Sequence, residues 1–279
     1  MKSGQCFRMR QLQEQEYEII AGTRYLRATQ QGDLLTLHCG DKELDFWMSY
    51  FDLNTDYGAY IKKLNPNDTY LMAAVRCAEG VRILRQDLWE MIVTFLVSQQ
   101  NNIKRIRRCI NLLCENYGEF IALDDDIEMS GGFIPCESGF PRGKGYYTFP
   151  RPEAFADLPE NALMECNLGY RSKYVIRSAR QIIEGEVSLE EIARLPYLKA
   201  KEELLKLFGV GQKVADCICL FGRHDLDAFP IDTHIRQALD QHYKRGFPNR
   251  RYKGFRGVVQ QYIFYYELMG NPNGTARKR

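Results

Sequence analysis

The hydrophobic pattern changes period once along the chain. Through residue 52 the apolar positions alternate over the short runs CFRMR, YEIIAG, TRYLRATQ, LLTLHC and KELDFWMSYF. Turns rich in Gly, Asp and Gln separate these runs, which predicts an antiparallel sheet with one covered face. Ser3 to Arg8 is already strand-like and predicts a further strand upstream of this sequence. Asp56 to Leu64 and Thr69 to Cys77 read as helices packed on that sheet. From Gln86 the period becomes helical, and QDLWEMIVTFLVSQQ sets Leu88, Met91, Ile92, Phe95 and Leu96 on one broad face. Further helices are predicted over Ile103 to Cys114, Glu153 to Asn167 with a fresh start at Pro159, Val175 to Glu184, and Leu189 to Leu195. The same pattern returns over Glu202 to Phe208, from Gln212 onward, over Thr233 to Tyr243, and over Gly257 to Met269. Residues 124–152 have no period and read as a loop or insertion, and 271–279 reads as a disordered tail. The sum is an α+β chain: an antiparallel sheet domain with packing helices over 1–82, then a mainly helical domain over 83–279.

Composition narrows the class. The chain has 279 residues, enough for a sizeable core and one or two domains. Net charge is only +2, so total charge selects no partner and local clusters must do so. Nine cysteines lie scattered without C-x-x-C pairs, and no N-terminal run resembles a signal peptide. Reduced thiols and a cytoplasmic or nucleoid setting are expected for a prokaryotic source, and a nuclear one for a eukaryotic source. No apolar run is long enough to predict a membrane span.

Candidate chemistry concentrates between Glu202 and His234. Gly209, Val210 and Gly211 form a hairpin between two helices, here taken as residues 202–223, and leave backbone amides bare for an anion. Lys213 follows in the first turn of an apolar helix, and Asp232 is placed to cap the next helix. Lys213 has two readings. It is a phosphate clamp that keeps its charge, or a nucleophile whose proton is disfavoured by a helix N-terminus and an apolar wall. Elsewhere, Ser98 to Asn102 with Arg105 reads as an amide-rich corner before a basic turn, a possible nucleic-acid face. Taken alone those residues fit a solvated helix start better. Tyr170, flanked by Arg171 and Lys173, reads equally well as a base-stacking tip or as a lid on the core.

LFGVGQKVADCICL followed by FPIDTH resembles the helix-hairpin-helix/Gly-Pro-Asp superfamily of DNA glycosylases. More narrowly, SGQCFR, YFDLNTDY, GVRILRQDLWE, SQQNNIKRI, LGYRSKYV and QQYIF, in that order, resemble the 8-oxoguanine DNA glycosylase/lyases of the eukaryotic type. The resemblance covers most of the chain outside 124–152. It implies Lys213 as the Schiff-base nucleophile and Asp232 as the catalytic carboxylate. It implies a pocket for the flipped base made of Gly4, whose carbonyl accepts from N7–H, Cys217 and Phe264, which sandwich the base, and Gln260, which reads its Watson–Crick edge. On the DNA side it implies Tyr170 as a wedge, Arg105 and Arg171 as readers of the orphaned cytosine, and Gly209, Val210, Gly211 and His234 at phosphates. Gln100, Asn101 and Asn102 match the family's gap-filling amides, but Gln100 stands where the family usually has Asn. A looser preference for cytosine is expected from the extra methylene. The resemblance implies a monomer acting on double-stranded DNA that contains 8-oxoguanine, with no metal and no cofactor. Iron–sulfur relatives carry four closely spaced C-terminal cysteines, and no cysteine follows Cys219. One rival is a glycosylase of the same superfamily with another damaged-base preference. The rival of another class is a non-enzymatic helix-hairpin-helix DNA-binding module, which would not need Lys213, Asp232, Gln260 and Phe264 together.

Overall fold

The computed structural model describes residues 4–123 and 145–269. Strands β1 (Met9–Gln13), β2 (Glu16–Ala21), β3 (Arg24–Gln31) and β4 (Leu34–His38) form an antiparallel meander in sequence order. Ile19 pairs with Leu26 and Tyr17 with Ala28, so strand alternation collects these residues on one face. β1 starts at Met9, later than the run CFRMR suggested. The residues before it are held instead by Gln5. Its side chain donates to the Arg82 carbonyl and accepts from the Leu84 amide, and the Gln86 side chain donates to the Gln5 carbonyl.

A helix covers the sheet. KELDFWMSYF, expected as a strand, folds as α1 (Asp41–Tyr50), with Asp41 and Glu43 favouring its N-terminal turn. The run alternates, but Trp47 and Tyr50 also lie one helical turn apart. As a helix it seats both on the same sheet face with Ile19, Leu26 and Ala28. With that face filled, α2 (Tyr57–Ile61) and α3 (Thr69–Cys77) do not lie on the sheet as expected. They start at the caps Asp56 and Asp68, and their Tyr57, Leu71, Ala74 and Val75 join the helical core. There α3 packs against α12 (Arg256–Met269).

The helical core is built around α4 (Leu88–Ser98), buried on every side from Trp89 to Val97. Alongside it runs α10 (Gln212–Gly222), with the Phe95 and Phe221 rings stacked at 5.5 Å. Around this pair lie α5 (Ile103–Tyr117), α6 (Glu153–Ala156), α7 (Ser172–Ile183), α8 (Leu189–Arg194), α9 (Tyr197–Leu204) and α11 (Thr233–His242). The predicted helix over Glu153 to Asn167 is only α6 and a 3₁₀ turn at Ala162–Met164, separated around Pro159. Part of the stretch read as loop pairs as a strand, β6 (Gly145–Tyr147) against β5 (Phe120–Ala122). Three-residue strands are too short to show a period. The Tyr146 hydroxyl ties this hairpin to the sheet by donating to the Thr23 carbonyl at 2.8 Å. The tail at 271–279 lies outside the described residues. No described helix is long and apolar enough to cross a membrane.

Candidate active site

The hairpin is built from the core outward. α9 ends at Leu204, short of the expected Phe208, and Leu204 and Leu207 are buried beneath the turn. The Val210 amide closes the turn by donating to the Leu207 carbonyl at 3.1 Å. Gly209 has a φ of +91°, and a Cβ there would lie 2.6 Å from Cγ of Tyr174, so both conformation and space demand glycine. Gly211 is different. Its φ is −99°, which any residue adopts, and a Cβ there would meet nothing within 4 Å. Its bareness leaves open the first turn of α10, which no side chain caps. Bare amides at a helix start are groups that can bind an anion. Val210, expected beside a phosphate, turns its side chain into the core.

Lys213 sits in that first turn, half-buried, with its amine 5.6 Å from the centroid of the Phe95 ring. One helical turn on is Cys217, on the same side of the helix and within reach of the Lys213 charge. Burial pushes the Cys217 thiol up to about 11, against the pull of Lys213 and with a further push from the Asp232 carboxylate. The thiol thus feels both the amine and the carboxylate. Asp232 caps α11, its Oδ1 accepting from the Ile235 amide at 2.8 Å.

The segment 230–234 joins this trio to the residues expected around a base. The Gln260 side chain, buried on α12, donates to the Pro230 carbonyl at 3.0 Å. The Phe264 ring, one turn further, meets His234 edge-on at 6.4 Å between centroids. Gly4 also borders this ring, and a Cβ there would lie 3.6 Å from Cε1 of Phe264. Gly4 has a φ of +71° and is held there by the Gln5 anchorage to Arg82–Gln86. Residues from the N-terminus, α10, the α11 cap and α12 therefore share one site.

Two family models divide the chain between them. The "8-oxoguanine DNA glycosylase, N-terminal domain" matches residues 1–92, and the "HhH-GPD superfamily base excision DNA repair protein" matches residues 93–251. The chain belongs to the HhH-GPD superfamily of base excision DNA repair proteins. An N-glycosylase/DNA lyase of Saccharomyces cerevisiae is 29% identical over 250 residues, covering 83% of this chain and 60% of that relative. This chain thus spans about three fifths of the yeast protein's length. Among solved structures, an 8-oxoguanine glycosylase/lyase of Clostridium acetobutylicum, bound to duplex DNA with cytosine opposite 8-oxoG, superposes with a TM-score of 0.84. It is 33% identical, over 95% of this chain and 89% of that one.

In this superfamily member the residues expected on the DNA side form a second group around the amide corner. Gln100 is exposed with a φ of +47°, Asn101 bridges the corner by donating to the Val97 carbonyl at 3.0 Å, and Asn102 caps α5. Arg171 is buried, and its guanidinium donates to the carbonyls of Gln99, Gln100 and Leu168. Arg105 is exposed and donates to the Asn167 carbonyl at 3.3 Å. Tyr170 stands 47% exposed with Arg171 beneath its ring. It leans edge-on against Tyr174, the ring that packs on Gly209.

Several connecting residues escaped the sequence reading. Gln99 donates to the Gly209 carbonyl at 3.0 Å and joins the amide corner to the hairpin. Asp216 takes the Tyr197 hydroxyl and the Lys201 amine, each at 2.7 Å, and braces α9 on α10. Gln99 could have been suspected from its place in the amide run. Gln5, Tyr174 and Asp216 carry no signal that their spacing reveals.

Proposed function

We propose that this chain is a bifunctional DNA glycosylase/AP lyase that removes 8-oxoguanine, flipped from duplex DNA, and then nicks the strand. The observation that carries the reading is the meeting of Gly4, Gln260, Phe264 and His234 around residues 230–234, with the Cys217 thiol of α10 under the influence of both Lys213 and Asp232. A DNA-binding hairpin alone has no need of it. In this reading the phosphate rests on the bare first turn of α10, which carries the backbone past Lys213. The neutral Lys213 amine attacks C1′, a C–N bond forms, and the glycosidic bond breaks with its electron pair leaving on the base. The Asp232 carboxylate stabilises positive charge developing on the sugar. Loss of the C2′ proton from the resulting Schiff base expels the 3′ phosphate by β-elimination. Phe264 and Cys217 would flank the base, and the Gly4 carbonyl would accept from the N7–H that 8-oxoguanine has and guanine lacks. Arg105 and Arg171 would read the orphaned cytosine beside Gln100, with Arg171 first releasing the corner carbonyls. The work would be done where DNA is, in a nucleoid or nucleus.

Borohydride trapping on an 8-oxoguanine:cytosine duplex tests the mechanism. A covalent complex is expected from wild type and none from Lys213→Gln. Base release without trapping would remove the lyase half, and neither release nor trapping would favour a non-enzymatic DNA-binding module. Comparing the four opposite bases tests the cytosine readers. Equal rates would remove Arg105 and Arg171 from that role.

A further inference from the structure

Beside Gln260 on α12 lies Gln261, equally buried at 3% exposure. Its Nε2 donates to Oε1 of Gln260 at 2.8 Å, while Nε2 of Gln260 donates to the Pro230 carbonyl at 3.0 Å. These two bonds fix the polarity of the Gln260 amide. A carbonyl can only accept, so the end of Gln260 facing Pro230 must be its NH₂. The other end is then oxygen, and Gln261 must be the donor. Turning the amide over would set oxygen against the Pro230 oxygen and NH₂ against NH₂, two unpaired contacts in a buried place. Among the described residues, Oε1 of Gln261 itself has no hydrogen-bond partner.

We infer that Gln261 is a positioning residue that locks the Gln260 amide and thereby selects a guanine-type over an adenine-type Watson–Crick edge. The inference rests on the proposed role of Gln260 as reader of that edge. A guanine-type edge offers an acceptor at position 6 and a hydrogen on N1, and an adenine-type edge offers the reverse. A free glutamine amide pairs with either by a half-turn about its last side-chain bond. Locked, it keeps one lone pair and one hydrogen for the base in a single order. One edge then pairs, and the other meets like against like. Here the accepted base is 8-oxoguanine and the refused one 8-oxoadenine.

Single-turnover excision of 8-oxoguanine and of 8-oxoadenine from otherwise identical duplexes reads the lock as a rate ratio. Gln261→Met, which keeps volume and removes the donor, should lower the 8-oxoguanine preference about ten- to a hundredfold, the range set by one unpaired buried group. Gln261→Leu, which also lacks the donor, should lower it to a similar extent. A destabilised but correctly polarised site would lose rate on both bases and leave the ratio unmoved. The wild-type ratio in both variants overturns the lock if Gln260→Ala still lowers it. An unchanged ratio in Gln260→Ala removes the base-reading role of Gln260, and the lock with it.

Discussion

Gly209 and Gly211 flank one valine and look interchangeable, yet they should fail in opposite ways when replaced by alanine. At Gly209 the backbone has a φ of +91°, and a new Cβ would come within 2.6 Å of Cγ of Tyr174. That atom roots the ring, which is held between Tyr170 and Phe208 at centroid distances of 5.6 and 5.5 Å, so it has little freedom to yield. The left-handed backbone costs about 1 kcal/mol and the overpacking about 2 kcal/mol more. For a chain of this size, a loss of about 3 kcal/mol lowers the melting temperature by about 5 °C. At Gly211 the φ is −99° and the space is open. Alanine there should change stability by no more than about 1 kcal/mol, because the loss of a favoured N-cap glycine offsets the restriction of the unfolded chain. Its methyl would stand over the bare α10 amides, and duplex affinity should fall about tenfold or more. Thermal melts followed by circular dichroism, with fluorescence-anisotropy titrations of duplex at fixed salt, measure both quantities. Wild-type melting of Gly209→Ala would refute the packing argument. Wild-type affinity of Gly211→Ala would refute the anion seat.

The cap and the charge of Asp232 should separate. Asp232→Asn keeps an acceptor for the Ile235 amide and should melt within about 0.5 kcal/mol of wild type, whereas Asp232→Ala should lose about 1 kcal/mol in urea titrations. Single-turnover excision should fall about a hundredfold or more in both. Burial pushes the Glu90 carboxyl up to about 7 despite its ion pair with Arg8 at 3.5 Å. The folded state therefore holds a proton that the unfolded chain has released, and its contribution to stability is lost as pH rises from about 4.5 through about 7. The slope reaches at most about 1.4 kcal/mol per pH unit, and Glu90→Gln should flatten it in urea titrations across that window. The buried Cys217, whose thiol is pushed up to about 11, should resist iodoacetamide at pH 8 for longer than the half-buried Cys39 and Cys77, as peptide mass spectrometry would report.

Local rules made much of the helical part legible in advance. The helix over Thr69–Cys77, the start of α10 at Gln212 and the Asp232 cap depend on neighbours three or four residues away, which the spacing of apolar and capping residues exposes. The same rules misread α1. An aromatic run such as KELDFWMSYF satisfies alternation and helical spacing at once, and only the sheet face that Trp47 and Tyr50 must cover decides between them. Having read α1 as a strand, local pattern also misplaced α2 and α3, whose true partners lie in the helical core. At the hairpin, Gly-Val-Gly announced the turn, but not that Gly209 is required by the Tyr174 ring while Gly211 is required by neither torsion nor packing. For the site as a whole, residue types and motif order nominated Lys213, Asp232, Gly4, Gln260 and Phe264. Tertiary structure brought them together, through the Gln5 bonds to residues 82–86 and through a Pro230 carbonyl 30 positions from the glutamine it orients. Sequence alone thus determined the chemistry on offer and the helices that bear it, because both are written in short-range pattern. Which groups meet, and which way the Gln260 amide faces, was decided by contacts between distant segments that no local period encodes.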